Sequence, residues 1–356
     1  GSRDPMPATV RTFGTLSDGT AIEAVDLEGA AISATVITLG ATIGSLRAPD
    51  RAGRMGEVVR GFTDLESKAA RPAVSGATIG RYANRIGNAS FELDGTRHAL
   101  EANLGANCLH GGSHGFHTSN WQLAETGDTP CPFATFALVS PDGDGGFPGR
   151  LDVTATYALT GPGELTITYE ARTDRPTVVS MTNHAFFNLR GDGPILDHRI
   201  EVAASAFLPG DGDRLPTGEI RDVSGTRFDL RTPTRFADAV RATEDDQIRS
   251  AGGFDHCFVL GRETAAEPRL AARVEEATSG RTLEMLTTEV GLQVYSGALL
   301  APAEEGVPSE LVALSDGFCL EPGRFPDAPN RPAFPSARVD QGAPYRQVSV
   351  YRFSTA

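Results

Sequence analysis

The segment Leu151-Asp152-Val153-Thr154-Ala155-Thr156-Tyr157-Ala158-Leu159-Thr160-Gly161-Pro162-Gly163-Glu164-Leu165-Thr166-Ile167-Thr168-Tyr169 decides the fold class. Leu151, Val153, Ala155, Tyr157 and Leu159 fall at every second position. Gly161-Pro162-Gly163 then reverses the chain, and Leu165, Ile167 and Tyr169 resume the same period. A period of two places apolar side chains on one face of an extended strand, so the segment reads as a hairpin. The signature recurs on both sides of it. Residues 12–24 are two short runs about a Ser17-Asp18-Gly19 turn, and 31–46 are rich in Ile, Val and Thr, broken by Gly40 and Gly44. Residues 91–96 alternate and turn at Asp94-Gly95, a strong hairpin signal. Residues 281–288, 291–299 and 347–353 alternate or run apolar. Helix is sparse: 64–70 suits a turn or two, and the polar stretch 236–250 reads as loop with a helical turn. Residues 322–343 are proline-rich and irregular. With no repeat and no linker-like break, the expectation is all-β: a single domain over 6–356, built of many short antiparallel strands.

Composition fits that expectation and narrows the partners. The chain has 356 residues, 40% hydrophobic and 22% charged, within the range of ordinary globular proteins. Its 40 glycines and 23 prolines suit many turns. Against 32 basic residues stand 46 acidic ones, for a net charge of −14. Such a surface repels phosphate backbones and anionic lipid, which argues against nucleic acid and membrane as partners and mildly for a neutral or cationic ligand. Cys108, Cys131, Cys257 and Cys319 are widely spaced, with no CxxC pair, so neither a zinc site nor a disulfide framework is expected. Reduced thiols in a cytoplasm are the simplest reading, with a periplasmic origin open should a leader have been removed. Residues 1–5, ahead of Met6, read as an expression-tag remnant. No run approaches the ~20 apolar residues of a membrane span.

Six stretches carry candidate chemistry. Histidine is scarce, with 7 residues in all, and His184 stands in Thr182-Asn183-His184-Ala185-Phe186-Phe187-Asn188 between two amides and two rings. It is either a satisfied core histidine or a proton donor in a walled pocket. In Gly80-Arg81-Tyr82-Ala83-Asn84-Arg85, Arg85 offers a planar fork of donors for hydroxyl or carboxylate oxygens, or else lies on a solvated loop. His110, His114 and His117 invite a metal reading, but Gly111, Gly112 and Gly115 oppose the helix such spacing needs, and no acidic ligand sits in the cluster. A Gly-rich loop presenting His110 to a ligand is the preferred reading, with no metal. Asp255 in Gly253-Phe254-Asp255-His256 accepts from a polyhydroxyl ligand or caps a turn. In a strand, Gln293 and Tyr295 share one face, and Leu292 and Val294 the other. Glu321 closes the apolar run before Pro322, so it is expected at a strand terminus, as an exposed charge or as a general base.

In series, these stretches resemble the aldose 1-epimerase (galactose mutarotase) family over about residues 12–353. The motifs are Gly80-Arg81-Tyr82-Ala83-Asn84-Arg85-Ile86, Leu109-His110-Gly111-Gly112, Thr182-Asn183-His184-Ala185-Phe186-Phe187-Asn188-Leu189, Pro216-Thr217-Gly218-Glu219, Phe254-Asp255-His256 and Phe325-Pro326-Asp327-Ala328-Pro329-Asn330. The resemblance implies a large antiparallel β-sandwich with a sugar cleft on one sheet. It implies interconversion of the α and β anomers of a free monosaccharide such as glucose, galactose or a pentose, with no cofactor. By motif, Glu321 is the catalytic base, His184 the catalytic acid and His110 a second active-site histidine. Asn84, Arg85, Asp255 and Gln293 match sugar-binding positions. This chain has Pro322-Gly323 where the family often has Thr-Gln, which bears on substrate preference. A non-catalytic sugar-binding module and a hexose-6-phosphate 1-epimerase are the alternatives on the same fold. With ordinary pKa values of about 4.3 and 6.5, the Glu is already a base at neutral pH, and an upward nudge from a nearby carboxylate would make the His a useful acid.

Overall fold

A computed structural model describes residues 8–297 and 316–356. The tag reading of residues 1–5 and the end of the predicted strand 291–299 lie outside the described residues. The hairpin forms where the pattern puts it, as strands Leu151–Gly161 and Glu164–Thr173 paired antiparallel. Leu151, Val153, Ala155, Tyr157, Leu165, Ile167 and Tyr169 are buried, while Asp152 on the other face is exposed. The hairpin sits inside a nine-stranded antiparallel sheet whose other members include Phe133–Ser140, Tyr345–Thr355, Arg281–Thr287 and Arg269–Glu275. A five-stranded meander, from Thr9–Thr15 to Met55–Glu57, supplies Val25, Leu27, Val36 and Leu46 to the same apolar core. The core takes residues from Val25 to Phe353.

A second five-stranded antiparallel sheet builds the working surface. Its order is Arg221–Asp222, Ala206–Leu208, Asp255–Val259, Gly291–Tyr295 and Cys319–Gly323. Glu321 therefore lies in the middle of a strand, not at its end as expected. A proline removes one ladder donor, which an edge strand tolerates, so the strand runs on through Pro322. Residues 236–250 also differ from the expected loop, giving two short helices, Phe236–Val240 and Asp246–Ala251. Phe236, Val240, Ile248 and Ala251 are buried, and the Asp245 carboxylate caps the second helix by accepting from the Gln247 and Ile248 amides. Tertiary burial thus overrode a polar local composition. The turn at 64–70 is the helix Leu65–Ala69. No described helix is long and apolar enough to cross a membrane.

One arginine of the Gly80-Arg81 motif is structural. Arg81 is 2% exposed and donates to Ser140 Oγ and to the carbonyls of Ser140, Pro141, Pro148 and Gly149. It ties the 141–149 loop to the sheet. Arg81→Met leaves the buried carbonyls of Ser140 and Gly149 without this donor, each costing about 1–3 kcal/mol. A stability loss of about 3 kcal/mol or more is expected in urea unfolding at unchanged slope. A loss under about 1 kcal/mol would show that water replaces the guanidinium there.

Candidate active site

Register on the second sheet decides which side chains meet. Gln293 pairs with Glu321 and with Cys257, and Tyr295 pairs with Cys319 and Asp255. Directly paired residues point the same way, so these six side chains form one face. Leu292, Val294, Phe258 and Leu320 point the other way into the core. A polar, partly aromatic surface thus sits on an apolar backing. The Asp142–Gly149 stretch is not among the residues that line the cleft.

Opposite this face stands His184, pinned by its neighbours. Its N–H donates to the Ala77 carbonyl at 2.9 Å, and its carbonyl accepts from Gly76 N–H at 2.9 Å. The Asn183 amide donates to the Gly76 carbonyl at 2.9 Å and accepts from Ala185 N–H at 3.0 Å. The ring stacks on Phe186 with centroids 5.1 Å apart and meets His110 edge-on at 5.2 Å. His184 Nε2 lies 3.5 Å from Glu321 Oε1, and both side chains are almost fully enclosed. On the far side of the imidazole, Nδ1 is 3.5 Å from Cys319 Sγ. Burial pushes that thiol well above its usual pKa, so it faces the ring as an uncharged S–H.

His110 rides on the Gly-rich loop, with φ 51 at His110 and 79 at Gly111. A Cβ on Gly111 would fall 2.2 Å from the Gly80 carbonyl oxygen, so only glycine fits. His110 Nδ1 accepts from Asn84 N–H at 3.0 Å. A neutral His110 therefore carries its proton on Nε2. This bears on metals, because the ligand atoms of His110, His184 and Glu321 lie within 4.8 Å of one another. A metal-binding imidazole normally donates from its second nitrogen, leaving the first as a lone pair. His110 is wired in the opposite sense, as a donor for an oxygen rather than a ligand for a cation. His114 is exposed and His117 is buried on the 3₁₀ turn Phe116–Thr118.

Asp255 is held at both oxygens. Oδ1 accepts from Gln293 Nε2 at 2.8 Å and Oδ2 from Arg214 Nη1 at 2.9 Å, with Arg85 Nη2 3.8 Å away. Asn84 Oδ1 accepts from the Arg85 N–H at 2.9 Å and fixes that turn. Asn84, Arg85, His110, His184, Asp255 and Glu321 all line one cleft of about 370 Å³, within the size range of small-molecule sites. Gln293 stands behind Asp255, off the cleft wall. Tyr295, Phe186, Arg71, Arg214 and Asp316 also line it, beside apolar residues such as Val74 and Leu109. Tyr295 was legible from its shared face with Gln293. Arg214 was not: it enters from a tight turn at φ 63, four residues before the Gly218-Glu219 end of its motif.

Burial sets the proton chemistry. The Glu321 carboxyl is driven well above its usual pKa by desolvation and by the Asp255 charge, with Arg85 opposing. Desolvation also drives His184 down to about 4, outweighing the upward pull of Asp255. This corrects the expected upward nudge, since loss of solvent acts on the imidazole more strongly than a neighbouring carboxylate does. Both directions favour uncharged partners.

The chain matches the family model described as aldose 1-epimerase over residues 23–352. It is 40% identical to the galactose mutarotase of Rattus norvegicus, over 99% of this chain and 100% of that one. It is 37% identical to the aldose 1-epimerase of Escherichia coli K12, over 90% of this chain and 91% of that protein. The fold superposes on an aldose epimerase homologue from C. elegans with a TM-score of 0.81 at 28% identity, covering 94% of this chain and 99% of that one. With the motif series, the sheet that carries it and these full-length matches in agreement, the chain belongs to the aldose 1-epimerase family.

Proposed function

We propose that Glu321 and His184 are the base and acid with which this aldose 1-epimerase opens and recloses the ring of a free aldose. The observation that carries the assignment is their 3.5 Å approach inside an enclosed cleft. Opening the ring removes a proton from the anomeric hydroxyl O1 and delivers one to the ring oxygen O5. With a sugar bound, its hydroxyls and Arg85 support the charged form of the pair, Glu321 as carboxylate and His184 as imidazolium. Glu321 takes the O1 proton and His184 gives its own to O5. The result is an aldehyde, a neutral acid and a neutral imidazole. Rotation about C1–C2 exposes the other face of the aldehyde, and the two groups exchange roles on closure. Protons and electrons balance within the cycle, so the step calls for no cofactor. The neutral pair that burial favours is the protonation state of the open-chain stage, so the cleft stabilises the less stable sugar form.

The Nε2–H of His110 gives a neutral donor to the developing oxygen charge, and Asp255 and Arg85 bind sugar hydroxyls, with Gln293 holding Asp255 in place. An uncharged sugar is favoured over a sugar phosphate because each cleft arginine already faces a carboxylate: Arg71 and Asp316 at 3.6 Å, Arg85 and Asp255 at 3.8 Å, Arg214 and Asp255 at 2.9 Å. The rat relative's name supports galactose as a substrate, beside glucose or a pentose. Polarimetry on freshly dissolved α-galactose and α-glucose tests the reading. Decay of rotation faster than the spontaneous rate is expected, and binding without acceleration would leave only a sugar-binding module. Exhaustive chelation is expected to leave the rate unchanged, and a loss restored by added divalent cation would overturn the cofactor-free cycle.

A further inference from the structure

Beside the Glu321 carboxyl lies a second, much smaller cavity, which shares Asn84 and Glu321 with the cleft. Thr182, Gln293, Glu321, Ser180, Asn84 and Arg324 are among the residues that line it. It has about 20 Å³ open to a water molecule, enough for one. Two buried oxygens at its wall have no partner among the protein's atoms, Thr182 Oγ1 and Gln293 Oε1. Thr182 is 1% exposed and Gln293 7%. Their orientations are fixed. Gln293 must turn its NH₂ to the Asp255 carboxylate at 2.8 Å, which leaves Oε1 as an acceptor. Asn183, the next residue along the strand, points its amide to the Gly76 carbonyl and the Tyr157 hydroxyl. Alternation along Thr182–Asn183 therefore sends the Thr182 hydroxyl the opposite way, into the cavity. Buried polar groups of this kind are satisfied by internal water that makes two to four hydrogen bonds.

We propose that one ordered water occupies this cavity, accepting from the Thr182 hydroxyl and donating to Gln293 Oε1 and to the Glu321 carboxylate, and that Thr182 is thereby a positioning residue for the base. The inference rests on Glu321 being the base. It gives the carboxylate a hydrogen-bond donor on the side of this cavity while the other oxygen meets the sugar, which steadies both its orientation and its charge. Thr182 does not line the sugar cleft, so its hydroxyl acts only through Glu321 and the water.

Thr182→Val keeps the side-chain shape and removes the hydroxyl, whereas Thr182→Ser keeps the hydroxyl. With a hydrogen bond to a charged group at stake, kcat of Thr182→Val is expected to fall about tenfold, with KM within about twofold of wild type. Thr182→Ser is expected to keep kcat within about twofold of wild type. A high-resolution crystal structure is expected to show the water in the wild type. The proposal is overturned if Thr182→Val keeps wild-type kcat, if the two variants fall equally, or if the wild-type density lacks the water. Should Thr182→Val fail to fold, the wild-type density decides alone. Glu321→Gln, assayed in parallel, separates the two levels. If that variant is inactive while Thr182→Val matches wild type, the water alone is wrong, and if Glu321→Gln keeps its rate the base assignment falls as well.

Discussion

Glu321→Gln is expected to slow catalysed anomer exchange by about 10²–10⁴-fold, the usual contribution of a general acid–base group. Glutamine keeps the size of the side chain and its place opposite Gln293, so the cleft should still bind sugar. In the proposed cycle, what it loses is the capacity to take the O1 proton and return it. KM should therefore change much less than kcat. The variant should also be no less stable. A carboxyl with a raised pKa contributes stability below its usual value near 4.5 and loses that contribution as pH rises through the folded value. Glutamine does not ionise and so escapes this loss at neutral pH. An unfolding midpoint in urea equal to or above that of wild type, with the rate gone, separates lost chemistry from lost structure. A variant at wild-type rate would mean that another group takes the proton.

His184→Asn is expected to cost a similar about 10²–10⁴-fold, with a change in pH dependence that a packing defect would not produce. In the proposed cycle the active form of the pair carries one exchangeable proton. A second proton enters on His184, whose pKa is depressed to about 4. The acid limb of kcat/KM should fall near that value, far below the limb an ordinary imidazole would give. On the alkaline side the limb belongs to Glu321 and should lie above the range of an ordinary carboxylate. Without His184 the residual rate depends on Glu321 alone and should rise with pH as that carboxyl ionises. A wild-type acid limb near the ordinary histidine value would contradict the desolvated pair. So would an unchanged profile in the variant.

Much of the scaffold was legible because strand periodicity records burial directly. The hairpin at 151–169 could be read without its partners, since one face of it must be covered. The loop at Gly111-Gly112 was legible because glycines oppose a helix, while the reason for Gly111, its close approach to the Gly80 carbonyl, was not. The misread features depend on partners distant in sequence. Pro322 marks a strand end only for an interior strand, and nothing local says that Cys319–Gly323 lies at a sheet edge. The His184 shift was misjudged in sign because desolvation depends on the rings and strands that close around it, among them Phe186, His110 and Tyr295. Arg214 reaches the cleft only because its turn adopts a left-handed conformation, which no arginine signals in advance. The six shared motifs, by contrast, named the family before the geometry of the cleft was known.

The most direct measurement is a crystal structure of Glu321→Gln with galactose or glucose soaked into the cleft. The anomeric hydroxyl should lie within about 3 Å of the residue 321 side chain, and the ring oxygen within about 3 Å of His184 Nε2. A sugar bound with its anomeric carbon turned to the cleft mouth, out of reach of both groups, would contradict the proton exchange described here.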